Sequence, residues 1–284
     1  MDWKKAITIL IASFVVLNIF MVLNLWFRER PVVEFALTST QQSEIEEVLK
    51  QRGVILQENI PKEGEAQALL EMSFRHIDEK KIVEGFFGKD AVTDITQTEN
   101  GRSYVYGHYQ LIITDNGFIT FLNNGDQILW PNLTREQAEK EAVNFMKSHG
   151  DIPEQAVLDK VTYDEQSNGY LLEFIRYYDD YYLYNSYITM LVTPSGVKTY
   201  YQCWLEPLGY VGKKRGVISP LTAILRVITE IETEHYPIVI TGLEQGYNSK
   251  LYNADRWQAA PVWKIEINDS DTFFVNAYTG EMEW

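Results

Sequence analysis

The alternation of hydrophobic and polar positions divides the chain unequally. Residues 6–27 carry no charged side chain, and at a helical rise of ~1.5 Å per residue they reach roughly 33 Å, against roughly 30 Å of bilayer hydrocarbon. Lys4 and Lys5 precede the run, Arg28, Glu29 and Arg30 follow it, and Trp3 and Trp26 stand where interfacial aromatics belong. The pattern predicts a transmembrane helix over 6–27. A cleaved leader is the rival, but its apolar part is shorter, and Leu25-Trp26-Phe27-Arg28 offers no small-x-small cleavage site. The flanking charges give no bias. Long domains translocate largely regardless of charge, so residues 1–5 are expected in the cytoplasm and everything beyond the span outside the cell.

Beyond Arg30-Pro31 the apolar positions recur at short periods. Residues 28–37 read as a tether, because proline cannot continue the helix. Helices are expected near 41–52, 135–148 and 220–234. The first has Ser39 or Thr40 as cap and Ile45, Val48 and Leu49 on one face. The second has Thr134 with Gln137 as a capping box and a stripe of Ala138, Ala142, Phe145 and Met146. The third has Ser219 as cap, Pro220 in the first turn and Leu221, Ile224, Leu225 and Ile228 inward.

Strands are expected at 69–74, 103–114 and 118–122 after the first helix, and at 161–163, 169–177, 184–193 and 196–205 after the second. Those at 239–245, 261–268 and 272–278 follow the third. Turns are marked by Asp115-Asn116-Gly117, by Pro194-Ser195-Gly196 and by 268–271. A helix followed by an antiparallel meander thus recurs about three times. The expected fold class is α+β, with a first domain over 38–130, a second over 131–284 and a boundary near Trp130-Pro131.

Composition narrows the function. A formal net charge of −15 argues against nucleic acid, whose phosphates need clustered Lys and Arg. Cys203 is the only cysteine, which rules out an internal disulfide and suits a Gram-positive exterior. It lies in the strand-like run Tyr200-Tyr201-Gln202-Cys203-Trp204 and reads as a buried, inert thiol. His76, His108, His149 and His235 show no metal-ligand spacing, and no nucleophile elbow occurs. The pairs Asp179-Asp180 and Asp269 with Asp271 read as solvated turns rather than a catalytic dyad. Catalytic, metal and cofactor residues are therefore all expected to be absent. Thr134 of the sequon Asn132-Leu133-Thr134 is accounted for as a cap.

Interaction chemistry is better represented. Asn18, Met21 and Asn24 fall within an arc of roughly 120° on the span, a face suited to a partner helix. Both amides also have a local alternative, bonding to their own backbone. Gly209-x-x-Gly212 followed by Lys213, Lys214 and Arg215 is the only basic cluster beyond the span, and reads as a mobile connector or a docking patch. The tyrosines of 177–184, Tyr178 and Tyr182 among them, form either an aromatic platform or ordinary sheet packing. Alternation along a strand sends them to opposite faces.

Met1-Asp2-Trp3-Lys4, the span with Leu17-Asn18-Ile19-Phe20, and the tail segments Pro261-Val262-Trp263-Lys264-Ile265 and Asn276-Ala277-Tyr278-Thr279-Gly280-Glu281 resemble the YycI (WalI) family. The final hairpin is also similar to PepSY modules, giving PepSY-like units at about 131–210 and 219–284. The resemblance implies a single-pass, non-enzymatic regulator of the WalK–WalR (YycG–YycF) two-component system of low-GC Gram-positive bacteria. It implies contacts with a YycH-like regulator and a WalK-like sensor kinase, partly through transmembrane helices, and an output in cell-wall metabolism. It implies no catalytic residues and no cofactor. The competing expectation is an extracellular PepSY-like domain that binds wall polymer or peptide, or inhibits a protease.

Overall fold

The computed structural model describes residues 11, 13–15, 17–19, 21, 37–57, 61, 63–149, 155–231, 237–252 and 254–283. Most of the expected span lies outside these. The described residues within it are helical. Among the described residues no helix is long and apolar enough to cross a membrane.

The fold is α+β, with a large, mostly antiparallel sheet of 15 strands and few helices. Helix α1 spans Ser39–Gln51, α2 Glu79–Phe87, α3 Arg135–His149 and α4 Pro220–Glu230. Each begins at a side chain able to satisfy the free N–H groups of the first turn. Thr38 and Gln41 form a reciprocal capping box on α1, one position before the expected cap. Asp78 caps α2, Thr134 Oγ1 accepts from Gln137 N at 3.3 Å on α3, and Ser219 caps α4. Helix α4 ends at Glu230 rather than near 234, because Ile231 is already extended.

The strands make two connected halves. In the first, β7 (Ala156–Asp164), β8 (Gly169–Tyr178), β9 (Tyr181–Thr193), β10 (Gly196–Cys203), β6 (Ile119–Asn123), β5 (Tyr109–Thr114), β4 (Gly101–Tyr106) and β3 (Asp94–Thr98) lie side by side, each antiparallel to the next. Helices α2 and α3 cover one face, burying Ala138, Ala142 and Met146 against Leu111, Phe121, Ile188 and Met190. Glu79 fixes the start of α2 by accepting from Tyr104 Oη and Arg102 Nη1, both at 2.6 Å. The expected strand 103–114 is two strands, since Gly107 turns the chain at φ 61°.

In the second half, β12 (Ile238–Asn248), β13 (Trp257–Ile267), β14 (Asp271–Asn276) and β15 (Met282–Glu283) form an antiparallel meander with β1 (Val54–Leu56) added in parallel. The apolar stripe of α4 packs on it: Ala223, Ile224 and Val227 are fully buried with Trp263, Ile265 and Val275. Leu49 of α1 belongs to the same core. The halves meet where β12 runs parallel to β9 over Gly246–Tyr182 and Tyr247–Leu183. A ribbon of β2 (Gln67–Phe74) and β11 (Leu205–Arg215) continues from β13.

Helix α1 forms where the first helix is expected, but it and β1 pack with the C-terminal core, and α2 is the helix packed on the first meander. Across the Trp130-Pro131 point β6 pairs with β10 and shares one apolar cluster with β8 and β9.

Candidate interaction surface

The Tyr-rich segment forms the tip of the β8–β9 hairpin. Asp179 and Asp180 make its turn at φ 46° and 70°, exposed to solvent, in agreement with the turn reading. Alternation then sorts the rings. Tyr177, Tyr182 and Tyr184 share one face, with Tyr177–Tyr182 centroids 5.1 Å apart and Tyr184 5.0 Å from Phe274. Tyr178 and Tyr181 share the other, against Tyr210 of β11 at 6.4 Å and Tyr247 of β12 at 5.9 Å. Tyr178 and Tyr182 are both half-buried and lie on opposite faces, so they do not form one platform. Tyr181 Oη donates to Glu65 at 2.7 Å and accepts from Gln67 Nε2. Burial and then the bond to Glu65 push its pKa up to about 12, so the phenol is neutral.

The basic cluster occupies the end of β11. This segment is a strand and not a mobile connector: it pairs with β2 from Leu205↔Phe74 to Arg215↔Gln67. Its register shifts twice, after Pro207 and after Val211. Gly209 at φ 124° and Gly212 at φ 81° sit at those bulges, and a Cβ at either would meet nothing within 4 Å. The Gly-x-x-Gly spacing is therefore bulge chemistry. Among the described residues β11 pairs on one side only. Proline, bulges and lysines are the devices by which edge strands resist indiscriminate pairing. The surface of β11 thus offers side chains more readily than backbone. Leu208, Tyr210 and Val211 are exposed, as are Lys213, Lys214 and Arg215. Burial raises the Tyr210 pKa, with nearby Asp179 adding to it. The Arg215 guanidinium lies 5.8 Å over the Tyr278 ring, which joins the basic end to the C-terminal half.

Of the helix-face residues, Asn18 donates Nδ2–H to Phe14 O at 2.9 Å, the local alternative for that amide. Met21 is exposed, and Asn24 lies outside the described residues.

Cys203 is buried, with Sγ 3.4 Å from Asn185 O, and burial pushes its pKa up to about 12. It is a thiol at neutral pH. Among the described residues no three His, Cys, Asp or Glu side chains converge to hold a metal ion. Sequence reasoning missed two clefts beside α3, of about 260 and 620 Å³, which share Phe86, Phe145 and His149. The signal for them was present in part, as apolar and polar residues at helical spacing on α3.

A solved structure of an uncharacterized protein from Eubacterium rectale ATCC 33656 is similar, with 12% identity, a TM-score of 0.48, and coverage of 78% of this chain and 86% of that one. No curated protein matches. The sequence model of the YycI protein family matches residues 34–278. Because that match takes in the capped helices, both halves of the sheet and the β11 edge, the chain belongs to the YycI family, a family of regulators of the WalK–WalR two-component system.

Proposed function

We propose that this protein is a membrane-anchored, non-enzymatic regulator that binds a YycH-like regulator and a WalK-like sensor kinase and thereby biases signalling that controls cell-wall metabolism. The observation that carries this reading is the family match over residues 34–278. The uncharged run over 6–27 supports an anchor with the N-terminus cytoplasmic and the folded part extracellular. The exposed Leu208, Tyr210 and Val211 beside Lys213, Lys214 and Arg215 suit a partner that offers an apolar patch rimmed by carboxylates. The C-terminal unit, α4 with β12–β14, is the PepSY-like part of this reading. Binding biases the kinase only through contacts that differ in free energy between its two states.

The test is co-purification of the full-length chain from membranes with the YycH-like protein and the kinase, alongside a reporter of kinase output. Replacing Lys213, Lys214 and Arg215 together by Gln is expected to lower recovery of at least one partner and to shift the reporter. Unchanged recovery and output would remove this patch from the account. Replacing Asn18 and Asn24 by Leu tests the helix face in the same assay. Protease added to intact cells is expected to degrade the folded part, and protection would contradict the extracellular placement.

A further inference from the structure

We propose that the larger cleft beside α3 binds an uncharged, N-acetylated sugar. None of its residues belongs to β11, so the proposal does not depend on the partner surface.

The cleft encloses about 620 Å³, within the ~300–1,000 Å³ of small-molecule sites. Its floor is a run of rings. Tyr109 stacks on Phe121 with centroids 5.6 Å apart, Phe121 lies 5.4 Å from Phe145, and Phe145 stacks on the His149 imidazole at 4.1 Å. Phe121 is buried beneath, so the half-buried Tyr109, Phe145 and His149 are the rings that present surface to a ligand with an apolar face of its own.

The rim decides which ligand. Glu141, Asn144 and Ser148 recur at i, i+3 and i+7 on α3 and border the cleft as one stripe, and Gln127 enters from the segment after β6. His149 Nδ1 lies 2.9 Å from both Phe145 O and Ser148 Oγ, and the other ring nitrogen, Nε2, is left to accept or to donate according to the tautomer. Burial lowers the His149 pKa and keeps the ring neutral at pH 7. Asn144 and Gln127 each offer a donor and an acceptor, and Glu141 a carboxylate. Asp126 is compensated by Lys198 Nζ at 3.3 Å, which leaves Glu141 as the rim carboxylate without an ion pair among the described residues.

Three ligand classes are then separable. An anionic polymer or phosphate meets the Glu141 carboxylate, and the Lys198 ammonium at the rim is already held by Gly125 O and Asp126. A quaternary ammonium uses the rings and Glu141 but leaves both amides unserved. A sugar engages each kind of group: its C–H face lies on the rings, its hydroxyls pair with the carboxylate, with Nε2 and with one amide, and an acetamido group pairs with the other amide.

The test is calorimetric titration of the full-length chain in detergent micelles with the β-1,4-linked trimer of N-acetylglucosamine. Saturable binding is expected. Glu141→Ala with Asn144→Ala is expected to weaken it by roughly tenfold or more without changing the thermal unfolding midpoint, since both residues face solvent or are half-buried. Gln127→Ala, in an exposed segment, is a second variant expected to weaken binding should the double variant fold poorly. Absence of saturable heat with the trimer, undiminished binding in these variants, or binding of choline in place of the trimer would each overturn the proposal.

Discussion

Lys264 Nζ lies 3.3 Å from Asp159 Oδ2 and so ties β13 to β7, two strands that share no hydrogen-bonded ladder. The lysine is buried. It also reaches Glu266 at 2.8 Å and lies 5.5 Å from the Tyr184 ring centroid. Removing its charge leaves carboxylates facing one another with partial access to water. The cost therefore falls between that of an exposed pair, ~0–1 kcal/mol, and a broken buried one, ~3–5 kcal/mol. Lys264→Met is expected to destabilise by about 2–3 kcal/mol, read as a lower urea midpoint at unchanged slope. Asp159→Asn is expected to cost roughly 1 kcal/mol, because Glu266 still holds the ammonium.

The same lysine gives an alkaline signature. Burial works against its charge, but the hydrogen bond to Glu266 and the charges of Asp159 and Glu266 outweigh it and raise its pKa above the ordinary lysine value. A base with a raised folded pKa contributes stability that is fully present below the unfolded value, ~10.4, and is lost as pH rises through the folded one. Tyrosines raised by burial, Tyr182 and Tyr184 among them, lose stability in the same direction. The readout is therefore the difference between wild type and Lys264→Met. That gap is expected to be constant from pH 7 to about 10 and to narrow above it.

What was legible in the chain was local. Thr134, Ser219 and Pro220 announce α3 and α4 because a cap and the stripe after it lie within one turn of each other. Helix α2 carries the same signals, Asp78 as cap with Ile82, Val83 and Phe86 at helical spacing, but nine residues are a short window for that period to declare itself. Pairings between distant segments were not legible. Nothing near Ile119–Asn123 names β10 as its neighbour, and nothing near Leu49 names α4. Strand β11 misled for a physical reason: Pro207, Gly209, Gly212 and the lysines are loop formers and edge-strand protectors alike. The separation of Tyr178 from Tyr182 depends on the turn: on one continuous strand they would share a face, and the two-residue turn at Asp179-Asp180, with Tyr178 opposite Tyr181, sends Tyr182 to the other one.

Thr38 gives a measure of how far α1 depends on its cap. Gln41 N donates to Thr38 Oγ1 at 3.3 Å and Thr38 N donates to Gln41 Oε1 at 3.0 Å. Thr38→Ala removes one half of this box and is expected to cost ~1 kcal/mol in a urea titration, with Thr38→Ser retaining most of it.

Cys203 is expected to resist alkylation. Its burial and raised pKa leave little thiolate and little access at neutral pH. Iodoacetamide is expected to label the native protein far more slowly than the protein in urea, followed by mass spectrometry. Equal rates would show that the strand pair around it opens freely.

His149 sets the acid side. Burial lowers its pKa, opposed by the hydrogen bond to Phe145 O, so the folded protein holds the ring neutral. A base with a depressed folded pKa contributes stability that is present above its unfolded value, ~6.5, and is lost as pH falls through the folded one. His149→Gln keeps a hydrogen-bonding side chain without a titrating proton. Unfolding by urea at pH 7.5 and at about pH 5 is therefore expected to show a larger acid loss for wild type than for the variant. The ring also stacks on Phe145 and touches Phe86, so the variant is expected to start from a lower midpoint at pH 7.5. The diagnostic quantity is the change between the two pH values. An identical change in both proteins would mean that the imidazole is as free to take up a proton folded as unfolded, and that it is not held neutral on the cleft rim.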